Sequence, residues 1–239
     1  CNFKDLQIMG TFLAVSSVIG RTQSQVVSSL TNYAKSVNGG LQQEDNINSE
    51  TPNSCIIEEL NSNTSVFYPD GYLEWDDSSK YISKELNTAV FSFHIHDGDL
   101  WMYVLYKDGE VIDQFNPIPD YWDANISDEE IGSWKGNAKT IAELFPFIKT
   151  SDIDKYLVRW DLEEEEPSKA YSTDEFTKED WQLVDFMTKL KLPYPIDDNG
   201  NPKGQTYKLW TSQLKLVTQQ SKSELKHETK SKKPWWKFW

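Results

Sequence analysis

Cysteine is nearly missing from this chain, and its scarcity narrows the reading before any motif is sought. Two cysteines among 239 residues, Cys1 and Cys55, cannot build a disulfide framework. The fold must then rest on burial, and a reducing, cytoplasmic setting is the expectation. A chain of this length buries enough surface for that. No run of eighteen apolar residues occurs, which excludes a membrane-spanning helix. Histidine is scarce too, with three in all. The chain has no Gly-x-x-x-x-Gly-Lys loop, no Gly-x-Gly-x-x-Gly turn and no Gly-x-Ser-x-Gly elbow. Nucleotide chemistry of the familiar kinds and elbow-type acyl transfer are therefore unsupported. Cys55, set in an apolar run, reads as a small buried hydrophobe rather than a nucleophile.

What is abundant is acid and aromatic. The formal net charge is -14, with 38 acidic side chains, 13% aromatic residues and ten tryptophans. The charge is unevenly spread. Residues 201–239 hold nine lysines against Glu224 and Glu228, a net of +7, whereas the first 200 residues carry a net of −21. An acidic body repels nucleic acid and suits a basic partner, and a basic tail is a separate interaction arm. No cofactor is implied by these features, and no carboxylate pair is singled out as catalytic among so many acids.

Apolar patterning predicts an α+β fold with a mixed or antiparallel sheet and helices on at least one face. Residues 11–19 read as a buried strand. Thr22-x-x-Gln25 is a capping box, followed by Val26, Leu30, Tyr33 and Ala34 at helical spacing, with Gly39-Gly40 as the expected stop. Residues 54–60 and 64–68 predict a hairpin about Asn61-Ser62-Asn63. Asp76, Asp77 and Ser78 are the candidate caps for a helix carrying Tyr81, Ile82 and Leu86. Residues 89–116 predict a three-stranded meander, turning at Asp97-Gly98-Asp99 and at Lys107-Asp108-Gly109. Short helices are expected after Ser127 and Asn137 and around residues 151–156, with one more strand at 157–160. A last helix is expected after Thr177, with Trp181, Val184, Met187 and Leu190 on one stripe. The expected organisation is an N-terminal extension (1–10) and a single domain (11–196) with a mobile loop (41–53) and an acidic spacer (161–167). A linker and basic, tryptophan-rich tail (197–239) follows, with a helix near 212–224. Cys1 in the first position is also what a processed bacterial lipoprotein presents.

Three places carry candidate chemistry. His94-Ile95-His96 ends a strand, so period two puts both imidazoles on one face. With Asp97 and Asp99 they form the one candidate site for a transition metal, His94, His96, Asp97 and Asp99, although no third histidine has ligand spacing. Second, Asp120, Tyr121 and Trp122 follow the stiff Asn116-Pro117-Ile118-Pro119 segment. With Trp101, Tyr103 and Trp134 they are the candidate partner-binding surface. Third, Lys232, Lys233, Trp235, Trp236, Lys237, Phe238 and Trp239 form a terminus fit for docking on a partner, on the chain's own body or on a membrane surface. The leading expectation is a non-catalytic acidic protein, of an immunity or scaffold type, that engages a basic protein partner. The alternatives are an enzyme using a metal held by the histidine pair, and a protein attached to a membrane surface by its C-terminus.

Overall fold

The computed structural model of the protein describes residues 12–96, 100–160 and 181–217. Its elements in order are β1 (Leu13–Val18), α1 (Gln23–Ser36), β2 (Gly40–Gln43), β3 (Ser54–Leu60), β4 (Asn63–Phe67), α2 (Trp75–Leu86) and β5 (Ala89–His96). They continue with β6 (Leu100–Lys107), β7 (Glu110–Phe115), α3 (Asp128–Ser133), α4 (Ala138–Leu144), α5 (Thr150–Asp154), α6 (Trp181–Lys189) and β8 (Gln205–Trp210). The eight strands form one sheet in the order β2-β8-β3-β4-β1-β5-β6-β7. Every neighbouring pair is antiparallel. The α+β class holds, and helices cover both faces.

Alternation along the strands sorts the core into two layers. Leu13, Val15, Phe91, Phe93, Trp101, Tyr103, Leu105 and Phe115 face one side and pack with Ile141, Phe145, Ile153, Tyr156 and Phe186 from α4 to α6 and the turn after α5. Ala14, Val18, Ile57, Val66 and Val90 face the other, under Val26, Leu30, Tyr33 and Ala34 of α1 and Ile82 of α2. Each such fully buried aliphatic or phenylalanine side chain contributes roughly 1.5–3 kcal/mol.

The local signals explain the element ends. Thr22 caps α1, and both halves of the capping box are present. Ser127 and Asn137 cap α3 and α4 through their side chains. Asp108 and Gly109 both take positive φ, 55° and 85°, the backbone of a two-residue turn whose twist matches the β6–β7 hairpin. Asn61 and Ser62 make the equivalent turn between β3 and β4, so Asn63 belongs to β4 rather than to the turn. The expected turn at Asp97-Gly98-Asp99 lies outside the described residues, but the strands it joins pair in register from Ala89↔Lys107 to His96↔Leu100.

Several expectations give way to tertiary contacts. Glu74, not Asp76 or Ser78, is the N-cap of α2, without a side-chain cap bond. Ser78 is inside the helix, and its hydroxyl donates to the Tyr68 hydroxyl at 2.8 Å. Gly39 and Gly40 do not themselves turn the chain out of α1, since Asn38 supplies the positive φ (59°). They are glycines because a Cβ at either would strike Trp210, at the main chain and the indole respectively. Residues 41–43 of the expected loop belong to β2. Residues 157–160 form no strand, and 212–217 no helix. Of the expected α6 stripe, Met187 and Leu190 are buried and Val184 is half-buried, and Gln182, Leu183 and Phe186 are buried with them.

The largest correction concerns residues 197–217. The segment read as linker and tail contains β8, which lies between β2 and β3 and pairs with both. The segment after it is fastened as well: the Asn53 side chain donates to the carbonyls of Leu209 (2.9 Å) and Lys215 (3.1 Å) and accepts from the Val217 amide (2.8 Å). The Thr211 hydroxyl donates to the buried Glu74 carboxylate. Periodicity could not find β8, because four of its six residues are polar or half-exposed and only the neighbouring strands make it a sheet member.

Candidate functional site

The β5 histidines do share a face, as period two requires, and it is the α1–α2 face rather than open solvent. His94 stands opposite Ala14 of β1 and Met102 of β6. Both imidazoles are buried, at 6% exposure. Trp75, the first residue of α2, lies flat on His94 with ring centroids 4.6 Å apart and planes 1° from parallel. Burial pushes the His94 imidazole down to about 3, His96 adds to that, and a hydrogen bond with the Leu13 backbone opposes it. His94 is thus a neutral ring held in an apolar sandwich. Next to Trp75, burial raises the half-buried Asp76 carboxyl to about 6, with the Ser92 hydroxyl opposing and Asp77 adding to the rise.

His96, two residues on, is the floor of an aromatic cluster. Phe12, Trp122 and Tyr121 approach it edge-on at 4.8, 5.1 and 5.7 Å between centroids. Tyr121 and Trp122 are themselves 5.1 Å apart and nearly perpendicular, at 79°. Edge-to-face contacts of this kind match the ring quadrupoles. Tyr121 is 46% exposed and Trp122 37%, while Asn116 and Ile118 below them are buried. The rigid base comes from the segment between. The Asn116 side-chain oxygen accepts from the Ile118 amide (2.9 Å), and the Tyr121 amide donates to the Ile118 carbonyl (3.1 Å). The loop is closed at its root, where the Asn116 amide donates to the Trp134 carbonyl (2.9 Å). The Pro117 carbonyl accepts from the Trp160 amide (3.0 Å), and Arg159 Nη2 donates to Asp120 Oδ2 (3.0 Å).

The structure therefore joins two features that the sequence presents separately, the histidine pair and the Tyr121-Trp122 pair, and divides a third. Trp101 and Tyr103 are not part of an exposed aromatic surface. They face the α4–α6 layer at 1% and 0% exposure. The Trp101 indole donates to Gln182 Oε1 (2.6 Å) and the Tyr103 hydroxyl to Asp113 Oδ2 (2.7 Å). They are β6 residues of odd number, and alternation sends them to the other side of the sheet from the histidines. Trp134 is half-buried and serves the loop root through its carbonyl. Phe12 and Trp75 are members of the cluster that sequence reasoning missed. Neither lies near the histidines or the loop in the chain, and no local pattern marks them.

For metal binding, Asp97 and Asp99 lie outside the described residues. Among the described residues no group of three or more histidine, cysteine or acidic side chains converges on a common point. The terminal Lys232, Lys233, Trp235, Trp236, Lys237, Phe238 and Trp239 also lie outside them. No described helix is long and apolar enough to cross a membrane. Cys55 is fully buried in β3, and burial raises its thiol far above the ordinary value, so it is held as the protonated, unreactive form.

Charge completes the picture. Between Lys107 and Lys135 the chain carries eight carboxylates and no lysine or arginine. This stretch comprises β7, an edge strand of the sheet, and the loop that carries Tyr121, Trp122 and α3. Asp108, Glu110, Asp123, Asp128, Glu129 and Glu130 are exposed, as are Val111 and Ile112. Comparison with known protein families, with curated proteins and with solved structures finds no match for this chain.

Proposed function

We propose that this protein is a non-catalytic binding protein whose acidic, aromatic end receives a basic protein partner, in a neutralising or scaffolding role. The observation that carries the reading is the stretch from Asp108 to Trp134. It carries eight carboxylates and no cation, on either side in the chain of two exposed aromatic rings that are held by His96 and by a hydrogen-bonded loop root. A single-sign field raises the encounter rate with an oppositely charged surface, and rigid aromatic anchors supply the contact energy. Pre-formed loops lose little entropy on binding. The aromatic pair is also what distinguishes this end from the rest of an acidic surface, which by itself favours only solubility.

The test is recovery of partners on immobilised full-length protein over a range of salt concentrations, with identification by mass spectrometry. The expected result is a small set of basic proteins, retained at low ionic strength, whose retention falls as salt rises. Recovery of no basic protein, or retention indifferent to salt, rejects the reading.

A further inference from the structure

We infer that the perpendicular rings of Tyr121 and Trp122 are the seat of an arginine side chain from the partner. This inference rests on the proposed basic partner and names its anchor. The two rings stand 79° apart with centroids at 5.1 Å, and both make T-shaped contacts with the buried His96. Each ring is therefore held against His96 while 46% and 37% of the residues remain in solvent. Two adjacent large aromatic residues are held on a loop pinned by the Asn116–Ile118, Tyr121–Ile118 and Asn116–Trp134 hydrogen bonds.

The occupant follows from charge. No lysine or arginine lies between Lys107 and Lys135 to supply a cation from within the loop, and Arg159 directs its guanidinium to Asp120 Oδ2 at 3.0 Å. Asp123, exposed and next to Trp122 in the chain, accepts from the Asn125 amide (2.9 Å) and side chain (3.1 Å) through Oδ1. A cation over an aromatic face is attracted by the ring quadrupole. A guanidinium does more than an ammonium here, because its plane stacks on one ring while its N–H groups reach a carboxylate. Arginine rather than lysine is the side chain that uses both elements.

The experiment titrates the full chain with two fluorescently labelled synthetic peptides of equal length, decaarginine and decalysine, followed by anisotropy. The arginine peptide is expected to bind about tenfold more tightly, within the range of a cation–aromatic contact. Trp122→Leu combined with Tyr121→Leu is expected to remove that preference and leave lysine-peptide affinity within about twofold. Trp122→Phe, which keeps a ring, is expected to retain most of it. A cooperative thermal transition shows that these variants fold. Equal binding of both peptides, or a preference that survives the double substitution, overturns the arginine seat while the acidic docking surface stands. Binding of neither peptide overturns both. Arginine binding that emerges only when Lys232, Lys233 and Lys237 are changed to glutamine makes the chain's own terminus the occupant. A particle mass halved by Trp122→Leu makes it a second copy. Either result overturns the proposal.

Discussion

His96 and Trp122 meet edge to face, 5.1 Å between centroids and 83° between planes. One is a buried β5 residue, and the other is half in water on a loop that begins after β7. Through this contact the sheet reaches the surface: Trp75 stacks on His94, His94 neighbours His96 at 6.3 Å, and His96 supports the exposed pair. Loop geometry at the candidate site is thereby tied to core packing under α2.

Acid sensitivity should come from His94. Its folded value of about 3 lies below the ordinary value near 6.5, so the unfolded chain takes up the proton first. Its contribution to stability is complete above about pH 6.5 and is lost as pH falls towards 3. Asp76 has the opposite sign. Its folded value of about 6 means that the folded state protonates first, and stability from this group rises as pH falls from about 6 towards 4. Urea midpoints measured from pH 7 to 3.5 should therefore change little at first for the native chain. Asp76→Asn should show a continuous decline from pH 6.5, and His94→Phe should lose most of the acid sensitivity.

At neutral pH the same Asp76→Asn substitution should stabilise the protein. An ionised carboxylate whose burial opposes ionisation is replaced by a neutral group of similar shape. The expected gain is on the order of 1–2 kcal/mol, reduced by solvent at a half-buried position. Chemical denaturation at pH 7.5 measures it, and a loss of stability there would contradict the burial argument.

Trp101 and Tyr103 should behave as core residues. Trp101→Phe removes an indole N–H from Gln182 Oε1 (2.6 Å) and leaves a void in the layer packed by Phe186. A cost of about 2–4 kcal/mol is expected. Partner retention per folded molecule should stay unchanged, whereas Trp122→Leu, which gives up the contacts with His96 and Tyr121, should weaken it at a stability cost of about 1–2 kcal/mol.

The fold should extend through β8 to at least Val217 rather than end near residue 196. Chains ending at residue 217, which keep β8 and the Asn53 and Thr211 contacts, should unfold cooperatively. Chains ending at residue 202 lack β8 and expose the edges of β2 and β3, and they should be insoluble or unfolded. Thr211→Val, which leaves the buried Glu74 carboxylate without this donor, should cost about 1–3 kcal/mol in the full chain. Differential scanning calorimetry of the three proteins decides the point.

Local signals in the sequence determined much of the architecture. Short apolar, β-rich runs bounded by turn residues identified β1, β3, β4 and the β5–β7 meander. The Asp108-Gly109 turn, the Thr22 capping box and the caps at Ser127 and Asn137 each act within four residues, so each is readable from residue order alone. Period two placed His94 and His96 on one face. The tertiary structure alone decided which face that was and which residues met there. It put β8 between β2 and β3, though the chain at 205–210 has little to distinguish it from a polar tail. It also sent Trp101 and Tyr103 inward and left Tyr121 and Trp122 outside, although all four are aromatic residues within 22 positions of one another. The physical reason is the range of the forces. Dihedral preference and capping are settled by near neighbours, whereas strand order and aromatic exposure depend on which distant surfaces remain to be buried.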